Sequence, residues 1–244
     1  MKTVIIIPSR MSAERLPGKP LLKINGMSII SHVSKKAQDA NIGEVIVATE
    51  DQEIIDDVKI NGFNAILTSN KHKTGTDRIY EALQKSNIKN VDLIMNLQGD
   101  EPAINIEDIV ALNNKMLKNH YNLGTLAATI KGNKSLKDEN IVKVITEKSL
   151  EKNNFPRAIS FLRKCENLHN IYHHIGIYCY SKDTLEKFTQ LNQSKNEIEN
   201  RLEQLRALDN KIDINVSLAK SSPIGVDTKE DYLALKKIME YKNL

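Results

Sequence analysis

The sequence of 244 residues predicts an α/β fold, with a mostly parallel sheet covered by helices in its first half and a mixed sheet in its second. Two observations carry this. Short apolar runs rich in β-branched residues alternate with amphipathic stretches across short connections, the pattern of successive strand and helix units. The first run, Val4-Ile5-Ile6-Ile7, is continuous rather than alternating, as expected of a strand covered on both faces.

The elements follow in order. A Pro/Gly-containing loop leaves the first strand and leads to a helix from Ser28 to Ala40, with Ile29, Ile30 and Val33 on one face and Lys35 and Lys36 on the other. Strands are predicted at 45–48, 65–68 and 92–97, with helices from Asp51 to Ile60 and from Asp77 to Leu83. After about residue 120 the rhythm becomes strand-rich, with strands over 124–130, 141–146 and 172–180, then helices over 197–208 and 229–241. Open sheets of this kind bind ligands at the carboxyl ends of their strands, so the loops after Ile7, Thr49, Thr68 and Leu97 are expected to carry the function.

Composition narrows the class. With 40% hydrophobic and 27% charged residues, and no low-complexity tract or linker, the chain reads as one domain over residues 1–244. The net charge of +4 comes from basic residues that are scattered rather than gathered in a stripe, which argues against nucleic acid and for a small anion. Cys165 and Cys179 lack metal-binding spacing and are too few for a disulfide framework, which points to a reducing compartment. The apolar run at Val4–Ile7 is stopped by Pro8 and is too short for a signal core or a membrane span, so a cytoplasmic protein without membrane partners is expected.

Four segments carry candidate chemistry. In the loop after the first strand, Ser9 is followed by three cations, Arg10, Arg15 and Lys19, which either clamp a polyphosphate or form a solvated basic loop. The stretch Gln98-Gly99-Asp100-Glu101-Pro102 ends another apolar strand, where Asp100 either holds a hard divalent cation or belongs to an ordinary turn. In Gly225-Val226-Asp227-Thr228, Asp227 is either a second carboxylate for that cation or a cap of the last helix. Thr74-Gly75-Thr76-Asp77-Arg78 opens a helix whose N–H groups and hydroxyls suit a ribose, base or phosphate, or simply caps that helix. His174 and Tyr178 in an apolar strand, and Glu203 and Gln204 on a helix, are further polar candidates, each more often structural when taken alone.

In combination and in this order, RLPGKPL, TGTDR, LQGDEP, IVKV, HHIGIYCY, LEQLRAL and GVDT resemble the 3-deoxy-manno-octulosonate cytidylyltransferases, the CMP-Kdo synthetases, from the first strand to about residue 232. The resemblance implies a Rossmann-like fold of the nucleotide-diphospho-sugar transferase type, with a nucleotide-binding half over 1–120 and a sugar-binding half with a small dimerisation subregion over 121–244. It implies transfer of CMP from CTP to an acidic 3-deoxy sugar, with Mg²⁺ as cofactor and a homodimer as the assembly. Ser9, Arg10, Arg15 and Lys19 then match the triphosphate loop, with Lys19 on the α-phosphate, and Thr74, Gly75, Thr76 and Arg78 match a nucleotide loop. Gln98 matches a contact to both nucleotide and sugar, Asp100 and Asp227 match the two magnesium-holding aspartates, and Arg157, His174, Tyr178, Glu203 and Gln204 match positions around the sugar acid.

Three departures bear mainly on the acceptor. Ala13 stands where the family usually has a hydroxyl residue, the residues around Arg157 lack the usual preceding Ser and following Ile-Pro, and Asn200 replaces a common Glu. A related sugar, an 8-amino Kdo analogue or another nonulosonate, therefore stays open as acceptor, as does a module that binds CTP or a CMP-sugar without turnover.

Overall fold

The computed structural model of the protein describes residues 1–12, 15–119, 121–130, 132–150, 154–165 and 169–241. Ala13 lies outside them. The chain forms two compact units, Met1–Ile109 with Pro223–Leu244, and Val110–Ser222.

In the first unit, β1 (Thr3–Ser9) buries Val4, Ile5, Ile6 and Ile7 completely. Each such side chain contributes about 1.5–3 kcal/mol on burial, which makes this strand a main anchor of the sheet. A 3₁₀ turn (Lys19–Leu21) and a small hairpin, β2 (Lys23–Ile24) with β3 (Met27–Ser28), lead to α1 (Ile29–Asp39). Ser28, where the sequence reading started the helix, instead caps α1 by accepting from Ser31 N–H. Then follow β4 (Gly43–Thr49), α2 (Gln52–Ile60), β5 (Asn64–Leu67), α3 (Gly75–Lys85) and β6 (Leu93–Asn96).

Strands β6, β1, β4 and β5 lie side by side in that order and all run parallel. The chain steps outward from β1 to β4 and β5, then returns to the other side of β1 for β6. The loops leaving β1 and β6 therefore part at a topological switch point, the place where open parallel sheets accept ligands.

In the second unit, α4 (Ile106–Asn119), which begins in the first, is followed by β7 (Leu123–Ala128), α5 (Asn133–Lys137), β8 (Lys143–Thr146), β9 (Ala158–Leu162) and β10 (Ile171–Ser181). Helices α6 (Lys182–Gln190), α7 (Lys195–Asn200) and α8 (Leu205–Asp209) and strand β11 (Asn215–Leu218) complete it. β7 pairs with β11 in parallel and with β10 antiparallel, and β10, β8 and β9 form an antiparallel run, so this sheet is mixed as expected. The helix predicted over 197–208 is two short helices, because Arg201 adopts φ +52° and ends α7. The sequence reading also passed over α4, α6, β9 and β11.

The chain ends in α9 (Lys229–Tyr241), which belongs to the first unit. Its Leu235 joins Ile24, Ile29 and Val226 in a fully buried cluster, with Leu16, Leu22, Tyr232 and Met239 packed around it. Tyr232 donates its hydroxyl to Lys23 O at 2.7 Å. This packing carries Asp227, over two hundred residues along the chain, to the loop that follows β1.

Candidate active site

Three loops of the first unit converge on Pro8–Ser9. A Cβ added to Gly99 would lie 2.9 Å from Pro8 O and 3.5 Å from Ser9 Cβ, and one added to Gly75 would lie 3.6 Å from Pro8 Cγ. The absence of a side chain at Gly99 thus lets the loop after β6 approach the backbone of the loop after β1. The β1 loop is closed by Gly18 N–H donating to Met11 O at 3.1 Å, with Gly18 at φ +74°, and is tied to the loop after β4 by Met11 N–H donating to Asp51 Oδ2 at 2.8 Å.

Lys19 is the centre of the arrangement. Its Nζ donates to Asp100 Oδ2 at 2.5 Å, to Val226 O at 3.0 Å and to Asp227 Oδ1 at 3.3 Å, while Arg15 reaches Asp227 Oδ2 at 3.0 Å. Burial acts to lower the Lys19 pKa, but the charges and hydrogen bonds of Asp100 and then Asp227 outweigh it and hold the ammonium above the ordinary lysine value. Arg10 is exposed beside Ser9, which is buried. Gln98, half-buried, accepts Glu101 N–H on its backbone oxygen at 3.3 Å.

The capping role offered for Asp227 falls to its neighbour. Thr228 caps α9, its hydroxyl accepting from Asp231 N–H at 3.1 Å, while Asp231 accepts from the N–H groups of Asp227 and Thr228. Relieved of capping, the Asp227 carboxylate turns to Lys19 and Arg15.

In the segment Thr74–Arg78 the capping reading holds for Thr74, and two further side chains turn inward. Thr74 caps α3, its hydroxyl accepting from Asp77 N–H at 3.3 Å, and Thr76 is buried on the first turn. Arg78 is buried too, with its guanidinium ion-paired to Glu50 and donating to Thr68 Oγ1 at 2.7 Å. It ties together the loops after β4 and β5, so its guanidinium is committed to partners within the protein.

Sequence reasoning passed over Glu101. Burial, followed by the charges of Asp100 and Asp227, pushes its carboxyl up to about 8, with Lys19 opposing, and its Oε2 is buried without a hydrogen-bond partner. The signal was present in the motif, since Glu101 follows Asp100 directly.

A second polar group lies within the second unit. β10 carries an irregularity between Ile175 and Tyr178, where Thr125 of β7 donates to Ile175 O and Ile177 O at 3.2 and 2.7 Å and contacts His174 Nε2 at 3.1 Å. Such bulges re-aim side chains. The rings of His174 and Tyr178 are 5.5 Å apart, and the phenol of Tyr178 is held well above its ordinary pKa by burial and by the nearby Tyr180 and Glu203. Gln204, buried, precedes α8. Arg157 is exposed, ion-paired to Glu147 at 3.2 Å and Asp213 at 3.4 Å.

Burial, with a lesser contribution from His173, lowers the His174 pKa to about 3 from an ordinary 6.5. His174 is therefore a neutral hydrogen-bonding ring at physiological pH. The unfolded chain protonates this residue near its ordinary pKa while the folded chain resists, so stability is full above that value and falls by about 1.4 kcal/mol per pH unit below it. Urea unfolding at about pH 7 and about pH 5 should show His174→Gln losing some 2 kcal/mol less than the parent on acidification; equal losses would rule out a buried neutral imidazole.

The fold and this site define a class, the nucleotidyltransferases. A solved structure described as CMP:2-keto-3-deoxy-manno-octonic acid synthetase complexed with CTP superposes with a TM-score of 0.90 at 34% identity, covering 99% of this chain and 100% of that one. The 4-diphosphocytidyl-2C-methyl-D-erythritol synthase of Anaerococcus prevotii shares the fold, with a TM-score of 0.66 at 15% identity over 98% of each chain. The cytidylyltransferase family model matches residues 4–214. The 3-deoxy-manno-octulosonate cytidylyltransferase of Bartonella tribocorum is 38% identical over 98% of this chain and 99% of its own length, and that of Rhodopseudomonas palustris is 41% identical over 94% of each. The chain belongs to the cytidylyltransferase family, among the 3-deoxy-manno-octulosonate cytidylyltransferases.

Proposed function

We propose that this protein transfers CMP from CTP to 3-deoxy-D-manno-octulosonate (Kdo), releasing pyrophosphate and supplying CMP-Kdo for lipopolysaccharide synthesis. The observation that carries the reading is the convergence of Lys19, Asp100 and Asp227 at the switch point between β1 and β6. In the reaction the anomeric hydroxyl of the sugar attacks the α-phosphorus, the bond from that phosphorus to the bridging oxygen breaks, and the hydroxyl proton is lost to solvent or base. Such transfers depend on positioning and charge neutralisation rather than on a covalent enzyme intermediate.

The roles follow from chemistry. Lys19 and Arg15, with exposed Arg10, are cations suited to triphosphate oxygens, and Lys19 is assigned to the α-phosphate. Asp100 and Asp227 would hold a divalent cation, Mg²⁺. They fit such an ion because three hard oxygens, two from carboxylates and one from Val226, are already gathered around a single cationic atom. Among the described residues no group of three or more His, Cys, Asp or Glu side chains is arranged for a metal. A two-carboxylate set suits Mg²⁺, which keeps water and substrate phosphate oxygens in its shell. When bound, the ion would neutralise phosphate charge and help orient the α-phosphoryl group. Thr74, Gly75, Thr76 and Gln98 are assigned to the nucleotide, and Gln98, Arg157, His174, Tyr178, Glu203 and Gln204 to the sugar acid.

Among the described residues no helix is long and apolar enough to cross a membrane. A cytoplasmic homodimer is proposed with the function. The test is pyrophosphate release from CTP and Mg²⁺ with Kdo, 8-amino-Kdo or N-acetylneuraminate. Release with Kdo is expected; release with another acid alone would keep the chemistry and move the acceptor, and no release with any would favour a CTP-binding module.

A further inference from the structure

The Lys19 ammonium has three N–H donors, and three oxygens accept from it: Asp100 Oδ2 at 2.5 Å, Val226 O at 3.0 Å and Asp227 Oδ1 at 3.3 Å. The other oxygen of Asp227 faces Arg15 at 3.0 Å. Two anions and two cations thus form a closed set. A divalent ion reaching the same carboxylates meets a unit positive charge in contact with them, and Lys19 cannot turn to a phosphate without giving up a bond it now makes.

The backbone around Lys19 is fixed while its stem is not. Lys19 N–H donates to Leu16 O at 3.2 Å, Leu22 N–H donates back to Lys19 O at 3.2 Å, and Pro20 is buried. The four-carbon side chain, by contrast, has rotatable bonds and a compact charge free to exchange partners.

We infer that Lys19 serves, besides its assigned role on the phosphate, as the resident counter-cation of Asp100 and Asp227, competing with the metal until a triphosphate draws the ammonium away. This rests on the proposed metal role of the two aspartates. It follows that metal and nucleotide bind with positive cooperativity, because each relieves a contact that opposes the other. The nucleotide-free protein holds the ion weakly, since its binding-competent form is a minor fraction.

The test is Mn²⁺ binding to the full chain, followed by the electron paramagnetic resonance of free Mn²⁺ with and without CTP. Without nucleotide, Lys19→Met should bind Mn²⁺ on the order of tenfold more tightly than the parent. Arg15→Gln, at an exposed position, should gain about two- to threefold, a smaller effect because its pair is solvent-screened. With CTP present, and the Mn²⁺ held by free CTP subtracted, the parent should gain affinity by a larger factor than Lys19→Met, in which only phosphate ligation adds to the site. Unchanged or weaker binding in both variants overturns the inference and leaves the metal reading intact. Asp100→Asn in the Lys19→Met background separates the two: if it leaves Mn²⁺ affinity unaltered, the ion does not sit on Asp100 and both readings fall.

Discussion

Asp100→Asn is expected to lower the turnover of CMP transfer by two to three orders of magnitude at saturating CTP and Mg²⁺. The substitution keeps the shape of the side chain and removes its charge, so the loop after β6 and its contact with Val226 N–H, made through the Asp100 backbone oxygen at 2.9 Å, are retained. What is lost is one of the two carboxylates proposed to fix the cation, and the charge that Lys19 pairs with, and a single preorganised charge at such a centre is worth roughly 10²–10³ in rate. Steady-state pyrophosphate release gives the measurement. Turnover within about tenfold of the parent would show that Asp100 does no more than shape a turn.

The largest effect on stability is expected far from this chemistry. Arg206 and Glu197 are both almost fully buried in the second unit, joined by two hydrogen bonds of 2.8 and 2.6 Å, with the guanidinium over the Phe188 ring at 4.6 Å. Burial acts to raise the Glu197 pKa, but the hydrogen bonds from Arg206 and Gln193 and the Arg206 charge outweigh it and hold the carboxyl below its ordinary value. Arg206→Met leaves that carboxylate buried without its counter-charge and should cost about 3–5 kcal/mol. Because Glu197 is stabilised as an anion in the parent, the pair's contribution is present above the ordinary carboxylate pKa and is lost as pH falls through the lowered one. Adding Glu197→Leu should recover most of the loss, since replacing a whole buried pair by apolar groups is often nearly neutral. Urea unfolding near neutral pH checks both steps, and a loss under about 1 kcal/mol for the single variant would mean that the pair is relieved by water or rearrangement.

Much of the first unit was legible because its signals are local. The run Val4–Ile7 can be little other than a covered strand, and the apolar periodicity after Ser28 places α1 within one residue of each of its ends. The second unit was less legible. α7 and α8 share one apolar pattern, and what separates them is the left-handed backbone of Arg201, a residue type that carries no turn signal of its own. α4 was passed over although Asn105 stands directly ahead of it, its side-chain oxygen accepting from Glu107 N–H at 2.9 Å.

The site divides along the same line. The order of basic loop, aspartate after a strand, and a later aspartate was readable from residue types and their resemblance to a family, because binding a triphosphate with a metal demands cations and hard oxygen ligands whatever the fold. The sequence by itself determined this inventory and the parallel sheet that displays it. Only the tertiary structure decided how the members are used: Arg78 is committed to Glu50 and Thr68, Thr228 rather than Asp227 caps the last helix, and Lys19 rests on the carboxylates. The reason is that partner choice depends on distances between segments remote in sequence. Here it is the packing of α9 on Ile24 and Ile29, driven by burial of apolar surface, that brings Asp227 within 3.3 Å of Lys19.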